Sequence, residues 1–449
     1  MPKTAPKSAV FCRLLTGTQA SSFGGGNIEL SIMASSTRLR SGPTLVLQAL
    51  PPKTFVGIDL FSFTSSPSFR GLTALPPGPH FIYTGTDASL SIRHGHWFQI
   101  NLSSPTTSPE RLVYHWNTDL ECLEQVQDVS QETLAADSDR APEPGLISYS
   151  HIAAASSRQY ENGRGSDVGA VGTVQQWADL TSYVTQGLLD RLLVTSSSPN
   201  RPVYAAPHHV SSVSSAAVDV EHIPGLSSSE SQLENESSLN FLPIDLKRTW
   251  RDGAIGRERT ESVLDTSWYL SHLMDSLSAN GDRKLGAAQI LGELQFCFMA
   301  VLTLANWSCL QQWKRVLGLL LRCRRAVGEI EGYFVEVLRV LRLQMECCEA
   351  VEGGLFEFKE EGSTGWLRSL LNGFKEGVDQ VHGGKGPLWE EIEKLEEFMK
   401  EMYGWEVSRN ILKRGLLDLE DGERVEMDMN SADEEDETGD YAPVIVDLG

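Results

Sequence analysis

The chain has 449 residues, too many for one compact core, so two or three domains joined by linkers are expected. Hydrophobic residues make up 41% and charged residues 22%, the composition of a globular protein with a core to bury. The formal net charge of −22 weighs against a phosphate backbone as the main partner, because affinity for nucleic acid comes chiefly from Lys and Arg displacing counterions.

Seven cysteines, an odd number without a Cys-x-x-Cys pair, lie mostly in helical apolar patterns (Cys297, Cys309, Cys323, Cys347, Cys348). They read as reduced core thiols, which implies cytoplasm or nucleus. The opening MPKTAPKSAVFCRLLTG has too short an apolar run for a signal peptide, and no membrane attachment is expected.

Residues 1–42 are rich in Ser, Thr and Gly and include Gly24-Gly25-Gly26 without a following Lys-Ser or Lys-Thr, so they read as a flexible extension. From Pro43 come short β-type runs, TLVLQAL, TFVGIDL, HFIYTG, SLSIRHGHWFQI and RLVYHWN, each bounded by Pro, Gly or Ser. That pattern predicts an antiparallel β-sandwich or barrel-like domain over residues 43–194. Pro76-Pro77-Gly78 supplies turn chemistry leading into the strand of Phe81 and Tyr83. Phe61, Phe63 and Phe69, in a Ser-rich loop, read as that loop's own small core. His94 and His96 flank a glycine in a hairpin and read as turn residues, since a metal there would need further ligands. The glycines at 163, 165, 169 and 172 lack the strand and helix of a nucleotide loop. A helix over Thr173–Leu193, with Trp177, Leu180, Val184, Leu188 and Leu192 at helical spacing, closes the domain. Residues 195–240, dominated by Ser and Pro, predict a disordered linker, in which Ser229, Ser231 and Ser237 stand beside acids as candidates for an acidophilic kinase.

Order resumes as an all-α domain over residues 241–417. Its centre is Leu291–Cys323, the longest apolar-rich passage, read as two core helices meeting near Asn306. Glu293, Gln295, Gln311, Gln312, Lys314 and Arg315 interrupt it, which argues against a bilayer span. Further helices are predicted over Glu261–Ala279, Glu329–Ala350, Thr364–Val381, Pro387–Tyr403 and Ser408–Leu417. Trp307 and Trp313 suit helix packing better than base stacking, and adjacent Cys347 and Cys348 cannot both face one site. From Asp418 to Asp440 there are twelve acidic residues and one base, a run expected to stay extended. It leads to Tyr-Ala-Pro-Val-Ile-Val-Asp-Leu at 441–448, a β-type peptide that either adds to another protein's sheet edge or pairs with the chain's own β-domain.

No His-Glu-x-x-His, Gly-x-Ser-x-Gly, phosphate loop or cysteine knuckle is present, so no catalytic, cofactor-binding or metal-ligating residue is assigned. A hydrolase with a site between the domains would need convergent His, Asp and Ser residues, with His94 and His96 the ones to test.

Leu-Gly-Glu-Leu-Gln-Phe at 291–296, Gln-Trp-Lys-Arg at 312–315, Gly57-Ile58-Asp59, Phe69-Arg70-Gly71 and the Pro-Pro-Gly-x-His-Phe step at 76–81 together resemble the Aar-two splicing-factor family. The resemblance covers residues 43–116, 173–193, 240–349, 386–406 and 441–448. It implies a non-enzymatic assembly factor of the U-five small nuclear ribonucleoprotein that binds Prp-eight through its RNase-H-like and Jab/MPN-type domains and prevents premature helicase association. It further implies a VHS-like helical domain and a tail whose Pro443, Val444, Ile445, Val446, Asp447 and Leu448 bind the partner.

Overall fold

Short runs of β-branched and aromatic residues form strands in the first part of the chain, because alternate side chains can be buried between two sheets. The computed structural model describes residues 42–87, 91–101, 111–126, 144–154, 170–193, 208–216, 219, 239–278, 281–349, 363–404, 415–418 and 424–427. Strands β1 (Thr44–Gln48), β2 (Phe55–Ile58), β3 (Phe61–Thr64), β4 (Gly71–Thr73), β5 (Gly78–Gly85), β6 (His94–Ile100), β7 (Arg111–Asn117), β8 (Cys122–Gln125) and β9 (Leu146–Ser148) precede helices α1 (Ala170–Leu180) and α2 (Gln186–Leu192) and strand β10 (His209–Ser211). One sheet runs β8-β7-β1-β4-β9, the other β10-β6-β5-β2-β3.

The two-sheet architecture is the expected one, but its pairing is mixed. β1 lies parallel to β7 and β4 parallel to β9. After β1 the chain crosses to the second sheet for β2 and β3, returns for β4, crosses again for β5 and β6, and returns for β7. Parallel neighbours follow, since only directly joined strands can pair through a tight hairpin. Leu45, Leu47, Ile58, Leu72, Ile82, Phe98 and Tyr114 fill the space between the sheets. Phe61 and Phe69 belong to that same core, and Phe63 packs edge-on to Phe69 with centroids 5.1 Å apart. Phe61 and Phe63 are therefore strand residues of the main core, not a loop's private cluster.

A polar knot pins this core. Asp59 turns β2 into β3 with φ +55°, a left-handed conformation uncommon outside glycine, and its side chain is fully buried. Its carboxylate accepts from the Phe81 amide (2.9 Å), the Tyr149 hydroxyl (2.5 Å) and His80 Nδ1 (2.7 Å). His80 Nε2 lies 2.8 Å from the Pro76 carbonyl. Both neighbours of the imidazole are acceptors, so both ring nitrogens donate and His80 is the cation. Burial works against that charge, but the Asp59 charge and the hydrogen bonds together raise its pKa above the usual 6.5. The Gly-Ile-Asp and Pro-Pro-Gly-x-His-Phe motifs are the two halves of this knot. Next to the knot, Gly57 leaves room for the Tyr83 ring, which a Cβ there would meet at 1.9 Å.

The second part of the chain is helical: α3 (Arg257–Leu264), α4 (Ser267–Ser276), α5 (Arg283–Leu304), α6 (Trp307–Leu320), α7 (Arg325–Glu329), α8 (Glu331–Glu349), α9 (Ser363–His382) and α10 (Pro387–Tyr403). Two predicted helices are each broken in two. Thr173–Leu193 is interrupted after α1, where the Thr181 hydroxyl bonds back to the Trp177 carbonyl and Thr185 caps α2 through Leu188 N. Glu261–Ala279 is interrupted at Asp265, whose carboxylate takes the amides of Ser267 and Arg324 and the Arg325 side chain. α5 is the one described helix long and apolar enough to cross a membrane, yet 72% of its apolar window is buried within the fold.

The described residues up to Leu395 form one compact unit and those from Glu396 onward another. In the second, strands β11 (Gly415–Asp418) and β12 (Arg424–Met427) pair antiparallel. Residues 415–417, the end of the helix predicted over Ser408–Leu417, are strand, and the rest of that prediction lies outside the described residues. The register places Arg424, the run's one base, opposite Asp418, an arrangement that tempers repulsion in an acidic segment.

The Asp59 knot yields a stability prediction. Asp59→Asn leaves a buried cation without its counter-charge and is expected to cost about 3–5 kcal/mol in urea unfolding. Because the folded His80 pKa is raised, the wild-type contribution is complete below about pH 6.5 and is lost as pH rises through the raised value. The variant should lack that slope.

Candidate functional site at the domain joint

Helix α5 is buried on nearly every side from Ile290 to Val301, and its polar residues are buried with it. A buried polar group must find partners or cost roughly 1–3 kcal/mol. Here the partners come from the β-domain's closing segment and from the stretch that follows it.

Gly292 admits the turn after α1 directly onto the helix, since a Cβ there would meet the Tyr183 carbonyl oxygen at 2.4 Å. Gln295 then binds the same turn in three places: its Oε1 accepts from Tyr183 N at 2.8 Å, and its Nε2 donates to the Asp179 carbonyl at 3.0 Å and to Ser182 Oγ at 3.1 Å. Glu293, fully buried, receives Arg191 Nη2 at 2.7 Å, the Leu242 amide at 2.9 Å and Gln312 Nε2 at 2.8 Å. Burial raises its carboxyl pKa, and the Arg191 charge and these hydrogen bonds offset that only in part. Phe296 packs 5.8 Å from Trp97 of β6, which stacks in turn on Trp177 of α1 at 5.9 Å.

The segment following α2 completes the joint, and it overturns the expectation of disorder throughout residues 195–240. β10 extends the second sheet along β6, with His209 opposite His96 and Ser211 opposite His94, and Val210 is fully buried. Asn306 joins this strand to the helices. Its Oδ1 caps α6 by accepting from Cys309 N at 2.8 Å, while its Nδ2 donates to the carbonyls of Ser211 (2.8 Å) and Ser214 (2.7 Å). Arg93 donates to the Thr303 carbonyl at 2.7 Å near the end of α5 and lies 5.0 Å over the Phe55 ring. Asp219 takes Ser308 Oγ and the Arg315 guanidinium from α6.

His94 and His96 are strand residues, not turn residues, with side chains on the same face of β6. The structure adds His209, whose Nε2 is 3.2 Å from His94 Nδ1 and whose ring is 4.9 Å from that of His96. Among the described residues no group of three or more His, Cys, Asp or Glu is arranged to hold a metal ion. The described cysteines are buried, and burial lifts Cys323 and Cys347 to about 12, far from a reactive thiolate. Trp313 packs between helices, donating to Gln344 at 2.9 Å.

The tail residues Pro443, Val444, Ile445, Val446, Asp447 and Leu448 and the serines Ser229, Ser231 and Ser237 lie outside the described residues. Sequence reasoning missed Arg93, His209 and the bridging half of Asn306. Glu293, Gln295 and Gln312 were visible as polar interruptions of an apolar run, and such interruptions are the signal that a buried helix meets polar backbone.

Asn306 separates two roles in one side chain. Asn306→Asp keeps the capping acceptor but cannot donate to Ser211 and Ser214, so it should lose about 2–4 kcal/mol in chemical unfolding, whereas a helix cap alone is worth about 1 kcal/mol. Full stability in Asn306→Asp would show that the bridge contributes nothing.

Two family models match the chain: the AAR2 N-terminal domain over residues 41–194 and the AAR2 C-terminal repeat region over residues 241–408. Curated relatives are similar across both. The protein AAR2 homolog of Homo sapiens is 22% identical over 317 residues, 68% of this chain and 75% of the relative. That of Caenorhabditis elegans is 25% identical over 328 residues, covering 69% and 80%, and that of Mus musculus 23% over 323 residues, covering 68% and 75%.

Proposed function

This chain belongs to the AAR2 family, and from that premise we propose that it is a non-enzymatic assembly factor in pre-mRNA splicing, acting on a U-five small nuclear ribonucleoprotein precursor. In this reading it binds Prp-eight through the RNase-H-like and Jab/MPN-type domains and keeps a helicase from associating early. It works in the cytoplasm and nucleus, and it uses no cofactor. The helical part serves as a VHS-like scaffold beside the β-domain.

The observation that carries the reading is where the motif residues are spent. Glu293, Gln295 and Gln312 tie one part of this chain to another. Surfaces away from the joint are thereby left for partners. A peptide such as Pro-Val-Ile-Val-Asp-Leu at 443–448, following an acidic stretch, suits addition to a foreign sheet edge: its backbone supplies hydrogen bonds and alternate side chains supply specificity. The net charge of −22 further favours a protein surface over bare nucleic acid.

The test is titration of the full chain, and of the chain lacking residues 441–449, against the isolated RNase-H-like domain. Deletion should weaken binding about tenfold or more, a loss of at least about 1.4 kcal/mol. Equal affinity for both would remove the tail from the mechanism, and no binding by the full chain would remove the partner.

A further inference from the structure

The acidic region that follows the helices carries a small sheet of its own. Strands β11 and β12 pair with Gly415 opposite Met427, Leu416 opposite Glu426, Leu417 opposite Val425 and Asp418 opposite Arg424. Positions alternate across a strand, so Leu417, Val425 and Met427 fall on one side of the hairpin, and Asp418, Arg424 and Glu426 fall on the other. Among the described residues this sheet has two strands, and a two-stranded hairpin by itself is only marginally stable in water. A third strand with matching alternation would stabilise it.

The chain supplies such a strand. Residues 428–449 follow β12, and within them Val444, Val446 and Leu448 alternate with Pro443, Ile445 and Asp447. We propose that residues 444–447 add antiparallel to the outer edge of β12, so that the free chain stores its tail peptide on its own hairpin.

Residue types fix the register. Val444 stands opposite Met427, Ile445 opposite Glu426, Val446 opposite Val425 and Asp447 opposite Arg424. Two valines thereby continue the apolar side of the hairpin, and an acid meets Arg424, the one base between Asp418 and Asp440. A slip of one residue takes Asp447 away from Arg424 and exchanges the two sides. A slip of two sets Asp447 against Glu426, or brings Pro443, which has no amide hydrogen, opposite Glu426. β11 is the poorer host, because its open edge offers Asp418 and no base. The chain also leaves the sheet from β12, so residues 428–443 make the return connection without crossing another strand. A partner's sheet that takes the peptide must first displace it from β12, and that step alone rests on the function proposed above.

Amide hydrogen exchange on the full chain tests the third strand without a partner, so its outcome is separate from that of the binding titration. Amides of residues 444–447 should exchange about tenfold or more slowly than in an unstructured peptide. Deleting residues 441–449 should cost the amides of residues 424–427 a factor of about ten, with those of β5 unaffected. Asp447→Arg leaves the hairpin's own sequence intact but sets two cations opposite each other, and protection of residues 444–447 should fall about two- to fivefold. Unstructured-peptide rates at 444–447 in the full chain, hairpin protection unchanged by the deletion, equal loss in β5, or no response to Asp447→Arg would each overturn the third strand.

Discussion

Burying a carboxylate costs several kcal/mol unless charge and hydrogen bonds offset it, and Glu293 sits fully buried where three separate parts of the chain converge. Arg191 reaches it from α2, the Leu242 amide from the start of the helical part and Gln312 from α6. An apolar residue in its place could bury as much surface but would accept any nearby packing. A carboxylate with three directional partners tolerates one. Gln295 and Asn306 repeat the device further along the chain, against the turn after α1 and against β10. The β-domain and the helices are thus joined by a stripe of buried polar groups, each addressed to a particular backbone atom.

The same logic governs the β-domain. Asp59 holds a left-handed backbone because its carboxylate satisfies the Phe81 amide, Tyr149 and His80 at once, and removing any partner would leave a charge or a donor stranded in the core. Both knots coincide with the motifs through which the chain resembles its family. Those motifs are therefore records of assembly within the chain.

How much could be read beforehand depended on whether the signal was local. The helix pair around Asn306 was legible because apolar residues recur on all sides of a helix that is buried all round. The strands were legible from their Pro and Gly boundaries. The parallel pairing of β1 with β7 was not, because nothing within a strand encodes which distant strand will lie beside it. The breaks before α2 and α4 were hidden because Thr185 and Asp265 interrupt the hydrogen-bond ladder without interrupting the apolar period. β10 was missed for a related reason: three residues in a Ser-rich stretch carry little propensity, and the strand exists because β6 offers an open edge and Asn306 holds the carbonyls beyond it.

The central claim is that buried polar contacts make the sheets and the helices up to Leu395 a single cooperative body. Scanning calorimetry of the full chain addresses it most directly. The account predicts one transition for both parts, with calorimetric and van't Hoff enthalpies in agreement. Two resolved transitions, with the β-domain and the helices melting at separate temperatures, would contradict it.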